Sequence, residues 1–153
     1  MFGGCEISLL IGIDFTLSNK KPKDPNSLHC YDFCKGSFIL ERNEYIQAIR
    51  SVGEIVQCYD SDKKIPVFGF GAKVPGNKKK ASNCFALNGN IFDPELDEIE
   101  GVVECYKNNL ERIDFYGPTH FAEIVKLAVE FAEHHKVSKY NQKYFILLMI
   151  TDG

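Results

Sequence analysis

Residues 7–18 read Ile-Ser-Leu-Leu-Ile-Gly-Ile-Asp-Phe-Thr-Leu-Ser. Six of the first seven are apolar or glycine, the composition of a strand buried on both faces of a parallel sheet. The character then changes. Asp14, Thr16 and Ser18 alternate with apolar Phe15 and Leu17. Period-two spacing at the C-terminal end of a strand can aim all three oxygen-bearing side chains at one point. One carboxylate and two hydroxyls make a hard oxygen set, the ligand type Mg²⁺ prefers. Asp, Thr and Ser are also ordinary turn and cap residues, so this stretch alone leaves both readings open.

The chain has 153 residues, the length of one domain spanning 1–153. Apolar residues are 44% and charged residues 25%, the balance of a soluble globular protein. The net charge of −3 gives no electrostatic case for nucleic acid. The longest apolar runs, near Ile7 and Phe145, fall far short of a bilayer span. The N-terminal Met-Phe-Gly-Gly-Cys-Glu has no basic region ahead of an apolar stretch, as a secretory signal needs, nor the Met-Gly start of a myristoylation site. Six cysteines are scattered, with Cys5 before a strand and Cys58 and Cys105 in helical patterns. A chain this long needs no staples, so all six are expected reduced, in a cytoplasmic protein. His29, Cys30 and Cys34 form a local metal-like group, but no second Cys/His pair with zinc spacing accompanies them.

In order along the chain, residues 19–27 form a polar, proline-containing loop, and 28–40 read as loop. A helix is predicted over about 41–58, with Tyr45, Ile49, Val52 and Val56 on one stripe and Ile46 and Ile55 broadening it. Asp60-Ser61-Asp62 ends it as a solvated turn, because the other positions of a calcium loop are missing. Residues 65–70 (Ile-Pro-Val-Phe-Gly-Phe) read as a second buried strand, with Gly69 and Gly71 marking close backbone approach at its end. Gly69-Phe70-Gly71 is not a phosphate loop, since no later glycine and helix start follow. Residues 73–80 carry four lysines with Pro75 and Gly76 and read as a basic exposed loop. Residues 84–87 read as a short edge strand. Asp93-Pro94 looks like a cap with proline at the first helical position. The helix after it has Ile99, Val102, Val103, Tyr106 and Leu110 on one face. Another helix is predicted over about 120–135, with Phe121, Ile124, Val125, Ala128 and Phe131 inward and His134 and His135 at its C-terminal end. Residues 144–150 form the third buried strand, followed by Thr151-Asp152-Gly153.

Strands alternating with helices imply right-handed crossovers and a mainly parallel sheet. Ligands of such sheets gather beyond the carboxyl ends of the strands. Asp14, Thr16 and Ser18 leave one strand end, Asp152 another, and Thr119 stands in the loop opening a long helix. These oxygens can meet on one rim. The combination resembles a von Willebrand factor A domain with its metal-ion-dependent adhesion site, and more closely the A domain of copines. The stretches carrying the match include Ile13-Asp14-Phe15-Thr16-Leu17-Ser18-Asn19, Tyr59-Asp60-Ser61-Asp62-Lys63, Pro66-Val67-Phe68-Gly69-Phe70-Gly71-Ala72-Lys73, Tyr116-Gly117-Pro118-Thr119 and Thr151-Asp152-Gly153. They lie in the family's order over nearly the whole chain.

The resemblance implies an α/β, Rossmann-like A domain with a mainly parallel sheet flanked by helices. It implies a Mg²⁺ or Mn²⁺ site in which Asp14, Thr16 and Ser18 match the first motif, Thr119 the second and Asp152 the third. Copines have Thr where many A domains have Ser at the middle position, so Thr16 keeps the hydroxyl. The implied function is a non-enzymatic module that binds a protein partner offering an acidic side chain. In copines a pair of C2 domains binds phospholipid under calcium control, so membrane recruitment is expected only through such domains in a parent protein. The final strands and helices that follow Thr-Asp-Gly in the family are absent from the 153 residues. A fragment with an unpaired apolar edge beside 144–150 is therefore expected to aggregate, to dimerise through that edge, or to be accompanied by further residues. The alternative is the substrate-recruiting A domain of a copine-type RING E3 ubiquitin ligase; the ligase activity would lie in the RING finger, for which this chain has no paired Cys-x-x-Cys. A haloacid-dehalogenase-like phosphoryl transfer needs a second acid two residues after its Asp, where this chain has Thr16. His120, beside Thr119, is placed like a base but is expected simply to be exposed.

Overall fold

The structure, a computed structural model, describes residues 6–31, 43–60, 62–135, 138 and 142–153. Its centre is strand β1 (Glu6–Asp14), buried from Ser8 to Asp14. β1 lies parallel to both neighbours, β2 (Lys64–Phe70) and β8 (Lys143–Ile150). Two short strands, β5 (Phe85–Ala86) and β6 (Glu95–Asp97), pair antiparallel with β2. The sheet order is β5-β2-β1-β8, with β6 also on β2. A separate antiparallel sheet runs β4 (Asn77–Ser82), β3 (Ala72–Val74), β7 (Asp114–Phe115).

Helices cover both faces. β2 alternates as a pleated strand must: Ile65 and Val67 join the cluster under α1 (Glu44–Val56) and α2 (Glu98–Asn109), with Leu9, Ile11 and Ile13. Phe68 and Phe70 point the other way, to Ile124 of α3 (Ala122–His134). α1 begins where the Asn43 side-chain oxygen accepts the Ile46 N–H at 3.0 Å, satisfying a first-turn donor. The fold is thus mixed α/β, with a mostly parallel central sheet between helices, as expected. No described helix is long and apolar enough to cross a membrane.

The predicted α2 stripe is buried throughout: Ile99, Val102, Val103, Tyr106 and Leu110. Other readings need correction. Residues 73–80 are not a loop. Pro75-Gly76 is a two-residue turn, with Gly76 at φ +89, joining β3 and β4 into a hairpin. Because Asn77 to Lys80 are all exposed, this strand shows no alternation to read. α2 starts at Glu98 with Asp97 at its cap, since Glu95–Asp97 is taken up in pairing with β2. In α3 only Ile124 is fully buried and Val125 is 45% exposed. Asp60 is not a solvated turn residue but is 5% exposed. Burial, and then the Asp62 carboxylate, push its pKa up to about 6 against the pull of Lys143. Cys30, Cys58, Cys84 and Cys105 are free thiols, while Cys5 and Cys34 lie outside the described residues. So does most of the predicted loop at 28–40, and so do the first residues of the helix predicted from 41.

Candidate metal centre

The strand ends set the geometry. Ile13 is opposite Ile150, so the next residues, Asp14 and Thr151, stand side by side where the strands stop. The Thr151 hydroxyl donates to Asp14 Oδ2 at 2.7 Å, and the Thr16 N–H donates to Asp14 Oδ1 at 2.8 Å. After β1 the chain stays tied down. Phe15 N–H donates to Phe70 O at 3.0 Å and Leu17 N–H to Tyr116 O at 2.8 Å. Gly71, at φ +75, lets this segment close up: a Cβ there would lie 2.2 Å from Thr16 Cγ2.

Three further oxygens follow in a chain. Thr16 Oγ1 and Ser18 Oγ are 2.8 Å apart, and Ser18 Oγ donates to Asp152 Oδ1 at 2.9 Å. Four of the five expected residues, Asp14, Thr16, Ser18 and Asp152, are therefore brought together at the carboxyl end of the sheet. Thr119 is not joined to them. It is half-buried in the segment between β7 and α3, three residues beyond the Tyr116 that bridges to Thr16, and makes no side-chain hydrogen bond among the described residues.

A buried polar layer supports the cluster from below, and most of it was not expected. Asn19 Nδ2 lies 3.3 Å from both Thr16 Oγ1 and Asp152 Oδ1, and Asn19 Oδ1 accepts the Tyr45 hydroxyl at 2.6 Å. Tyr45 stays protonated: burial raises its pKa, and the nearby Asp14 and Asp152 carboxylates raise it further. His29 is fully buried and stacked 3.8 Å from the Tyr45 ring. Its Nε2 lies 2.8 Å from the Asp14 carbonyl, an acceptor, so Nε2 carries the proton. Nδ1 then accepts from the Tyr106 hydroxyl at 2.6 Å. With both ring nitrogens engaged, His29 is a brace for Asp14 rather than a zinc ligand. Burial pulls its pKa down to about 3, against the opposing hydrogen bond to Asp14.

The donor set fits a small hard cation. Every atom in it is oxygen, and two are from carboxylates that form no ion pair with Lys or Arg among the described residues. Neighbouring oxygens of an octahedral Mg²⁺ shell with bonds of 2.0–2.1 Å are about 2.9 Å apart. The Thr16–Ser18 and Ser18–Asp152 spacings of 2.8 and 2.9 Å match that edge. A cavity of about 740 Å³ between β5 and α2 contains none of these residues.

The Copine family model matches residues 28–153. The matched stretch starts after Ser18 and takes in Thr119, Thr151 and Asp152, together with both helices packed on β1 and β2. It spans most of the 153 residues, and the chain belongs to the copine family.

Proposed function

We propose that this copine-type domain is a metal-dependent protein-binding module and not an enzyme. Asp14, Thr16, Ser18 and Asp152 would hold Mg²⁺ or Mn²⁺, with Thr119 reaching it directly or through water. The bound cation supplies an electrophilic position that a partner's carboxylate fills. The chain's own residues do the rest. Thr151 and the Thr16 N–H orient Asp14, Asn19 orients Thr16 and Asp152, and Tyr45 fixes Asn19. Exposed Leu17 and Tyr116 stand beside the cluster as contact surface for the partner. The partner is a protein with an exposed acidic side chain. The setting is cytoplasmic, with phospholipid reached only through C2 domains of a parent protein.

The observation that supports this reading most is the convergence of the Asp14, Thr16, Ser18 and Asp152 oxygens at one strand end, with no Lys or Arg paired to either carboxylate among the described residues. The test is thermal melting with Mg²⁺, Mn²⁺ or EDTA. At a hundredfold excess over its dissociation constant the metal should add about 2.7 kcal/mol, some 5–10 °C for a chain of this size. Asp14→Ala should abolish that gain. Equal melting of the wild-type chain in all three conditions contradicts the proposal.

A further inference from the structure

The Asp60-Ser61-Asp62 run does not complete a calcium loop within its own sequence, but the fold brings a third carboxylate from far along the chain. Glu6 opens β1, and its oxygen and those of Asp60 and Asp62 all lie within 4.8 Å of one another. A second observation separates this group from an ordinary acidic patch. Both carboxylate oxygens of Asp60 are shut away from solvent with no donor in full hydrogen-bonding geometry, alone among the described buried side chains, although the Asp62 N–H lies near. Asp62 Oδ1 is engaged by the Lys64 N–H at 2.9 Å. Lys143, at the start of β8, places Nζ 3.4 Å from Glu6 Oε1. One ammonium against three carboxylates leaves two negative charges.

A desolvated carboxylate without a partner is unfavourable by several kcal/mol unless a cation or a proton compensates it. We propose that Glu6, Asp60 and Asp62 form a second divalent-cation site, selective for Ca²⁺ over Mg²⁺, at the end of the sheet opposite Asp14 and Asp152. The chemistry of hydration favours Ca²⁺. Mg²⁺ keeps its waters, whereas Asp60 is closed off from water. The nine residues of β1 separate the two sites by about 26 Å. That is more than twice the Debye length of about 8–10 Å at ordinary salt, so they should fill independently.

The experiment is a Ca²⁺ titration of the 153-residue chain at mildly basic pH, followed by amide NMR. The amides of Glu6, Asp62, Lys64 and Lys143 should shift, with a much weaker response to Mg²⁺. Asp62→Asn, at an exposed position, should weaken this binding at least tenfold without unfolding the chain. Asp60→Asn should raise the melting temperature in EDTA and erase its response to Ca²⁺. The proposal is overturned by shifts confined to Thr16, Ser18 and Gly153, by no shifts, by equal Mg²⁺ and Ca²⁺ responses, or by Asp62→Asn binding like wild type. It is also overturned if Asp60→Asn does not gain stability in EDTA, since the buried carboxylate then needs no cation. Shifts near Thr16 report the first site separately, so either site can fail without the other.

Discussion

His29 shows how a residue can be conspicuous in sequence while its role is set by partners far along the chain. Beside Cys30 and Cys34 it prompts a question about zinc, while its role depends on the distant Asp14 carbonyl and Tyr106 hydroxyl. Local spacing cannot report partners 15 and 77 residues away. The proximity of Asp14, Thr16, Ser18 and Asp152 was legible because strand ends on one rim converge whatever the details. Asn19 and Tyr45 were not assigned roles, since their link is a tertiary hydrogen bond. Tyr45→Phe should leave Asn19 Oδ1 buried without a donor, lowering stability by about 1–3 kcal/mol. It should also weaken Mn²⁺ binding about tenfold, as loss of a ligand's supporting partner commonly does. Calorimetric titration of both proteins checks this, and unchanged affinity would count against Asn19 as an orienting residue. His29 also makes a pH prediction. Its folded pKa of about 3 lies below the ordinary 6.5, so its contribution is intact above pH 6.5 and lost as pH falls toward 3. The slope is about 1.4 kcal/mol per pH unit. Asp60 acts oppositely: its raised pKa favours the fold as pH drops from about 6 to 3.8. Urea denaturation of His29→Gln should therefore lose less stability between neutral and acid pH than wild type does. Equal slopes for the two proteins would contradict the buried neutral imidazole.

Among elements, the long periodic ones were readable and the short paired ones were not. β1, β2 and β8 were marked by their apolar runs, and α2 by its stripe. The β3–β4 hairpin escaped because lysines occupy a strand exposed on both faces, so no pattern of burial reaches the sequence. β6 escaped because a three-residue strand is decided by its partner β2, which moved the start of α2 to Glu98. The glycines around the hairpin give a paired test of what an element demands. Gly71 and Gly76 both have positive φ. An added Cβ at Gly76 meets nothing within 4 Å, while at Gly71 it overlaps Thr16 Cγ2. Gly76→Ala should then lose only the left-handed backbone penalty of about 1–2 kcal/mol. Gly71→Ala should lose more and impair metal binding as Thr16 is pushed away. Equal loss at both positions, measured by chemical denaturation, would mean that the close approach to Thr16 does not shape the site.

At the scale of the whole molecule, alternating strands and helices predicted the parallel sheet, and the sheet delivers chemistry to its two ends. The carboxyl end carries Asp14 and Asp152. The amino end carries Glu6, Asp60 and Asp62, whose proximity is invisible in sequence because it depends on the parallel register of β1 against β2. Among the described strands β8 pairs only with β1, and Tyr144 is 63% exposed. The central claim is that a divalent cation binds at the carboxyl end. Paramagnetic broadening by substoichiometric Mn²⁺, read in the amide NMR spectrum, tests it most directly. The account predicts that Thr16, Ser18 and Gly153 broaden first, that Thr119 follows as a nearby residue, and that Asp14→Ala abolishes the effect. Broadening that starts elsewhere, or that survives Asp14→Ala unchanged, would contradict it.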